Sequence, residues 1–204
     1  MATKTAGIAS TGTKCGKSTG NCDALALFGG SQGLKYAEYG AWVRYADTTV
    51  TDYAVFSTGT PTATMPKSGT ASYTGEAQGI AGATNQPGGP SWFGGTLKLA
   101  ANFAKNTISG GISGIKTTNV STNAAGTLND IAFSNGVISG KSFSGTAAAA
   151  ATAGGTTPSV AISGASGRFG GSFYGPSAAE AAGTFRLSGG PGGTLVIGSF
   201  GAHK

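Results

Sequence analysis

The chain has 204 residues, 38 of them glycine, and only 10% of its side chains are charged. The length permits one large β domain or two small ones, and the glycines follow no three-residue period, which excludes a collagen helix. A net charge of +6 is spread singly from Lys4 to Lys204, unlike the clustered basic face of a nucleic-acid binder. No run approaches the ~18 apolar residues of a membrane-spanning helix, and Met1 to Ser10 has no apolar centre, so no cleaved secretory leader is expected.

Residues 1 to about 30 are polar and turn-rich, and "CGKSTGNC" holds the only cysteines, Cys15 and Cys22. Their closeness predicts a small disulfide loop, which stabilises by roughly 2 to 3 kcal/mol and implies an oxidising compartment. Two free thiols in a cytosolic protein are the alternative. The lone His203 does not complete a four-ligand zinc site with them.

The first strand is expected at "ALALF", Ala24 to Phe28. In "LKYAEYGAWVRYA" period two places Tyr39, Ala41, Val43 and Tyr45 on one face and Tyr36, Trp42 and Arg44 on the other. "TVTDYAVFS" should pair with it through a turn at Asp47. "GTPTATMPKSG" then breaks the pattern with two prolines.

From Gly69 onward short strands recur: "TASYTGEAQG", "TLKLAANFA", "TISGGISGI", "DIAFSN", "VISGKSFSGTA", "PSVAISG", "GRFGGSFYG", "EAAGTFRLS" and "TLVIGSFGA". Turns at intervals of about ten residues mark a meandering sandwich or a closed barrel. Closure, which removes exposed edges, favours the barrel. "PSAAEAA", Pro176 to Ala182, could form a helical turn or two between strands.

Catalytic chemistry has little to stand on. "GTKCGKS" lacks the spacing and the following helix of a phosphate loop. The single histidine is penultimate, and seven acidic residues leave few carboxylate pairs. Glu180 reads as accepting backbone donors within its own turn. A non-enzymatic binding protein is the expectation, with Tyr36, Tyr39, Trp42, Tyr45 and Tyr53 as candidate ligand contacts. The plainer alternative makes these aromatics the core of a small sheet.

Finally, "SGRFGGSFYGPSAAEAAGTFRLS" and "VIGSFGAHK" resemble the closing strands of the transferrin-binding-protein-like β-barrel family of bacterial surface lipoproteins and secreted haemophores. Gly171, Phe173, Tyr174, Gly175, Pro176, Ala178, Glu180, Gly183 and Phe185 match its hallmark in order, as do Gly198, Phe200, Gly201 and Ala202. The resemblance implies an all-β fold, an eight-stranded antiparallel barrel over residues 65–204 preceded by a β handle within residues 1–64. It implies a secreted or outer-surface protein for iron or haem acquisition, whose ligand is haem or a host or environmental iron-carrier protein. A TonB-dependent outer-membrane receptor would be a further partner. Haem would need an axial ligand, for which Tyr36, Tyr39 and Tyr45 are better placed than His203 or Met65. An adhesin or structural surface module is the alternative function.

Overall fold

The computed structural model describes residues 8–10, 21–46, 49–82, 89–151 and 160–204. Alternation of small and apolar residues produces strands throughout, with only two short 3-10 turns, Gly29–Gln32 and Pro191–Gly193. Four strands form the first sheet: β1 (Ile8–Ser10), β2 (Asn21–Leu27), β3 (Ala37–Ala46) and β4 (Thr49–Gly59), in that order and antiparallel. This is the handle.

The second sheet comprises β5 (Thr70–Gly82), β6 (Ser91–Asn102), β7 (Thr107–Asn119), β8 (Ala125–Thr127), β9 (Ile131–Ser139), β10 (Ser142–Ala149), β11 (Ser166–Tyr174), β12 (Glu180–Ser188) and β13 (Leu195–His203). Its order is β6-β5-β13-β12-β11-β10-β9-β7, and β7 pairs back onto β6. That pairing closes an eight-stranded antiparallel barrel, with β8 as a short appendage on β7. Closure leaves none of the eight with a free edge.

Eight of the ten phenylalanines fill the interior. Phe133 stacks on Phe169 at 4.5 Å and meets Phe185 and Phe200 edge-on or tilted at 5.6 Å. Glycines opposite the rings make room for them. A Cβ at Gly198 would lie 2.5 Å from the Phe185 ring, and one at Gly183 would lie 2.6 Å from Phe200. Large rings facing absent side chains let so narrow a barrel reach interior packing density. Aromatic inside and Ser/Thr-rich outside is the reverse of a lipid-facing barrel, whose outer wall carries the apolar band.

Several local expectations change. "DIAFSN" and the following "VIS" form one strand, β9, because Asn135 takes a left-handed conformation (φ 51°) and the ladder steps through an irregularity instead of ending. The chain turns instead at Gly140, φ 58°, so "VISGKSFSGTA" is a hairpin and not one strand. In "PSVAISG" the described residues contribute a single bridge, Val160 to Leu128. Its Ile162 is fully buried in the barrel's core cluster, with its N–H on Asn129 Oδ1 at 3.0 Å. No helix forms at 176–182: Gly175, Ser177 and Ala178 all have positive φ, and the chain re-enters a strand at Glu180. Asp47 and Cys15 lie outside the described residues, and with them the predicted turn and the Cys15–Cys22 pairing.

Candidate functional site

The handle packs on the outer wall of the barrel over β12, β13 and β5. Polar contacts fix it there. Glu180, buried on the wall, accepts the backbone N–H groups of Lys35, Tyr36 and Ala37 at 2.7, 2.9 and 2.7 Å. The reading of Glu180 as a local turn cap is therefore corrected in its donors: they come from the handle. A carboxylate suits the position because three N–H groups converge where no strand partner is available.

Ser199 Oγ donates to the Gly40 carbonyl at 3.0 Å, and Gln32 Nε2 donates to Glu76 at 2.7 Å. The connection from handle to barrel is tied to the hallmark stretch as well. Thr62 N–H donates to the Phe173 carbonyl, Thr62 Oγ1 to the Gly175 carbonyl, and Gly175 N–H to Thr60. Tyr36 lays its ring against Gly175, where a Cβ would collide with it. Gly201 leaves the same kind of space for Tyr39, whose ring would be 2.5 Å from a Cβ there.

The five candidate aromatics separate into three environments. Tyr39 is fully buried between handle and barrel, and its hydroxyl has no hydrogen-bond partner. Burial, with Glu76 and Glu38 nearby, raises its pKa. Tyr45 and Tyr53 point inward from β3 and β4 beside it. Burial raises the pKa of both, and the Tyr53 ring lies 5.5 Å from that of Trp92 on the barrel wall. Tyr36 and Trp42 keep exposed surface: Tyr36, one side of its ring on Gly175, is 37% exposed, and Trp42 is half-buried beneath the Arg44 guanidinium, 4.8 Å from its ring centre.

Two surfaces result. On the outer face, the register brings Leu25 beside Trp42 and Ala54, and Leu27 beside Gly40 and Phe56. The next rung is ionic, Asp23–Arg44–Asp52, with Arg44 Nε 2.9 Å from Asp23. On the inner face, a cleft of about 220 Å³ separates handle from barrel, lined by Ala24, Ala26, Phe28, Tyr53, Gln78, Trp92 and their neighbours. Leu27, Phe56 and Trp92 were not among the expected contacts. Alternation in "ALALF" and "SWFGG" carried the signal, since it turns Leu27 and Trp92 away from the faces that bury Ala24 and Phe93.

Among the described residues no group of three His, Cys, Asp or Glu is gathered to hold a metal, and no helix is long and apolar enough to cross a membrane. The architecture defines a handle-on-barrel protein. Residues 65–204 match the family model described as the C-lobe and N-lobe β-barrels of Tf-binding protein B, and the chain belongs to that family.

Solved structures agree in fold. Intact Ap-TbpB, with N and C lobes, superposes with a TM-score of 0.66 at 19% identity, covering 97% of this chain and 38% of that one. A transferrin binding protein B mutant from Haemophilus parasuis Hp5 gives 0.65 at 21% identity, covering 97% and 37%. A surface lipoprotein gives 0.55 at 19%, covering 84% and 76%. The chain thus spans under two-fifths of the length of the first two. A search of curated protein sequences found no match.

Proposed function

We propose that this chain is a non-enzymatic binding protein of the bacterial outer surface or exterior that engages an iron-carrier protein through the outer face of its handle. The observation that carries this reading is the apolar strip of Leu25, Leu27, Trp42 and Phe56 bordered by the Asp23–Arg44–Asp52 rung. An exposed aromatic beside a charged rim is the usual make-up of a protein–protein hot spot. Family membership supports the ligand class, because transferrin gives the related barrels their name. Tyr36, at the edge of this face, joins Trp42 as a proposed contact. Tyr45 and Tyr53 belong to the inner cleft, and Tyr39 supports the face from behind. Haem is the finer alternative cargo, handed on to a TonB-dependent receptor, and the Cys15–Cys22 disulfide is the proposed brace at the start of β2.

Immobilised protein would be exposed to iron-loaded transferrins and other iron-carrier proteins in a biosensor, with a Soret titration run beside it for haem. Saturable binding that Trp42→Ala weakens at least about tenfold, as a hot-spot truncation should, supports the proposal. Absence of binding to every iron carrier and to haem removes it.

A further inference from the structure

Independently of that reading, we propose that the cleft between handle and barrel binds a small, uncharged aromatic molecule that carries a hydrogen-bonding group. The walls are ring surfaces and methyl groups: Phe28, Tyr45 and Tyr53 on the handle side, Trp92 on the barrel side, and Ala24 and Ala26 between. Pockets that bind small molecules combine such apolar walls with a few placed polar groups.

Size sets the class of ring. An apolar cavity of roughly 150 Å³ accepts benzene, and this cleft measures about 220 Å³, which suits one fused bicyclic ring. Charge excludes ions. No Asp, Glu, Lys or Arg is among the described lining residues, so an ionised ligand would lose its hydration without a counter-charge.

The polar groups are the two phenols and the Gln78 amide. Neither phenol hydroxyl has a hydrogen-bond partner among the described residues. Both stay protonated well into alkaline conditions, since burial disfavours the phenolate and Tyr45 further disfavours that of Tyr53. They are therefore donors, close enough to influence each other, in an otherwise apolar slot. A ring with an acceptor oxygen fills the slot and accepts from them in place of solvent.

Calorimetric titration with 2-naphthol tests this, with naphthalene-2-sulfonate as the charged counterpart. Single-site binding is expected, with Kd on the order of 0.1 to 1 mM for a ligand of this size, and the sulfonate should not bind. Ala26→Phe, which fills the slot, should abolish binding. Tyr53→Phe should weaken 2-naphthol about fivefold, the effect of one hydrogen bond, and leave naphthalene unchanged. In a Trp42→Phe background Trp92 is the sole tryptophan, so its emission should shift on binding. The proposal is overturned by absent saturation in the wild-type protein, by equal binding of the sulfonate, or by undiminished binding in Ala26→Phe. If Ala26→Phe does not fold, Tyr53→Phe decides: equal losses for naphthalene and 2-naphthol, or no loss for either, also overturn it.

Discussion

The Glu180 carboxylate on the barrel wall accepts the backbone N–H of Ala37, the first residue of the handle's central strand, at 2.7 Å across 143 residues of chain. Lys35 and Tyr36 add their N–H groups to the same side chain. Removing it leaves the buried Ala37 N–H without an acceptor. Glu180→Ala is expected to cost about 2 to 4 kcal/mol, given about 1 to 3 kcal/mol for each buried group left unpaired. Denaturant melts give the magnitude. Amide exchange gives the location, and protection at Ala37 unchanged from wild type would count against the clamp.

Tyr39 presents the opposite case. Its ring is packed against Phe28 at 5.7 Å and over Gly201, while its hydroxyl is buried and unpaired. Tyr39→Phe keeps the packing and removes the desolvated oxygen, so stability should hold or rise by up to about 1 kcal/mol. A loss above about 1 kcal/mol in a thermal or denaturant melt would show that the hydroxyl is satisfied in solution.

Phe173 is completely buried and meets Phe143, Phe103 and Tyr73 with ring centres at 5.1, 5.7 and 5.9 Å. Phe173→Ala should cost about 3 to 5 kcal/mol, the range for truncating a core phenylalanine. The handle-face contacts are untouched, so the folded fraction should bind as wild type does. Loss of binding at unchanged stability would contradict the structural role.

Alkali should unfold the protein earlier than ordinary tyrosines would. Burial raises the pKa of Tyr39, Tyr53 and Tyr73 in the folded state, and the Tyr73 hydroxyl also donates to the Ala178 carbonyl at 2.8 Å. In the unfolded chain each phenol ionises near pH ~10. Below that value their contribution is fully present; above it the unfolded state releases protons first, and stability falls as pH rises. Urea midpoints from about pH 9 to 11.5, followed with phenolate absorbance, should decline together. A flat midpoint through that window would refute the linkage.

Much of this architecture could be read in the amino acids, and what escaped did so for physical reasons. Alternation in "YGAWVRYA" correctly separated Tyr39, Val43 and Tyr45 from Trp42 and Arg44, because each face of a strand meets a different environment. The match from Gly171 to Phe185 located the closing strands. Glu180 was misread because its partners are backbone N–H groups, which carry no residue signature. The left-handed Ser177 and Ala178 were equally hidden, since "PSAAEAA" has the composition of a helix start. The cleft depends on how two sheets meet, and no local pattern encodes a distance between Tyr53 and Trp92.

Docking of the handle also sets an order of events. The Glu180 and Ser199 anchors lie 143 to 159 residues downstream of the groups they hold. A chain made from its N-terminus therefore exposes Tyr39, Val43 and Tyr45 until β12 and β13 exist to cover them. Such long-range closure is slow, and the open interval favours aggregation. This apolar face therefore stays uncovered for nearly the whole time of synthesis, which makes the late strands β12 and β13 the step that protects it.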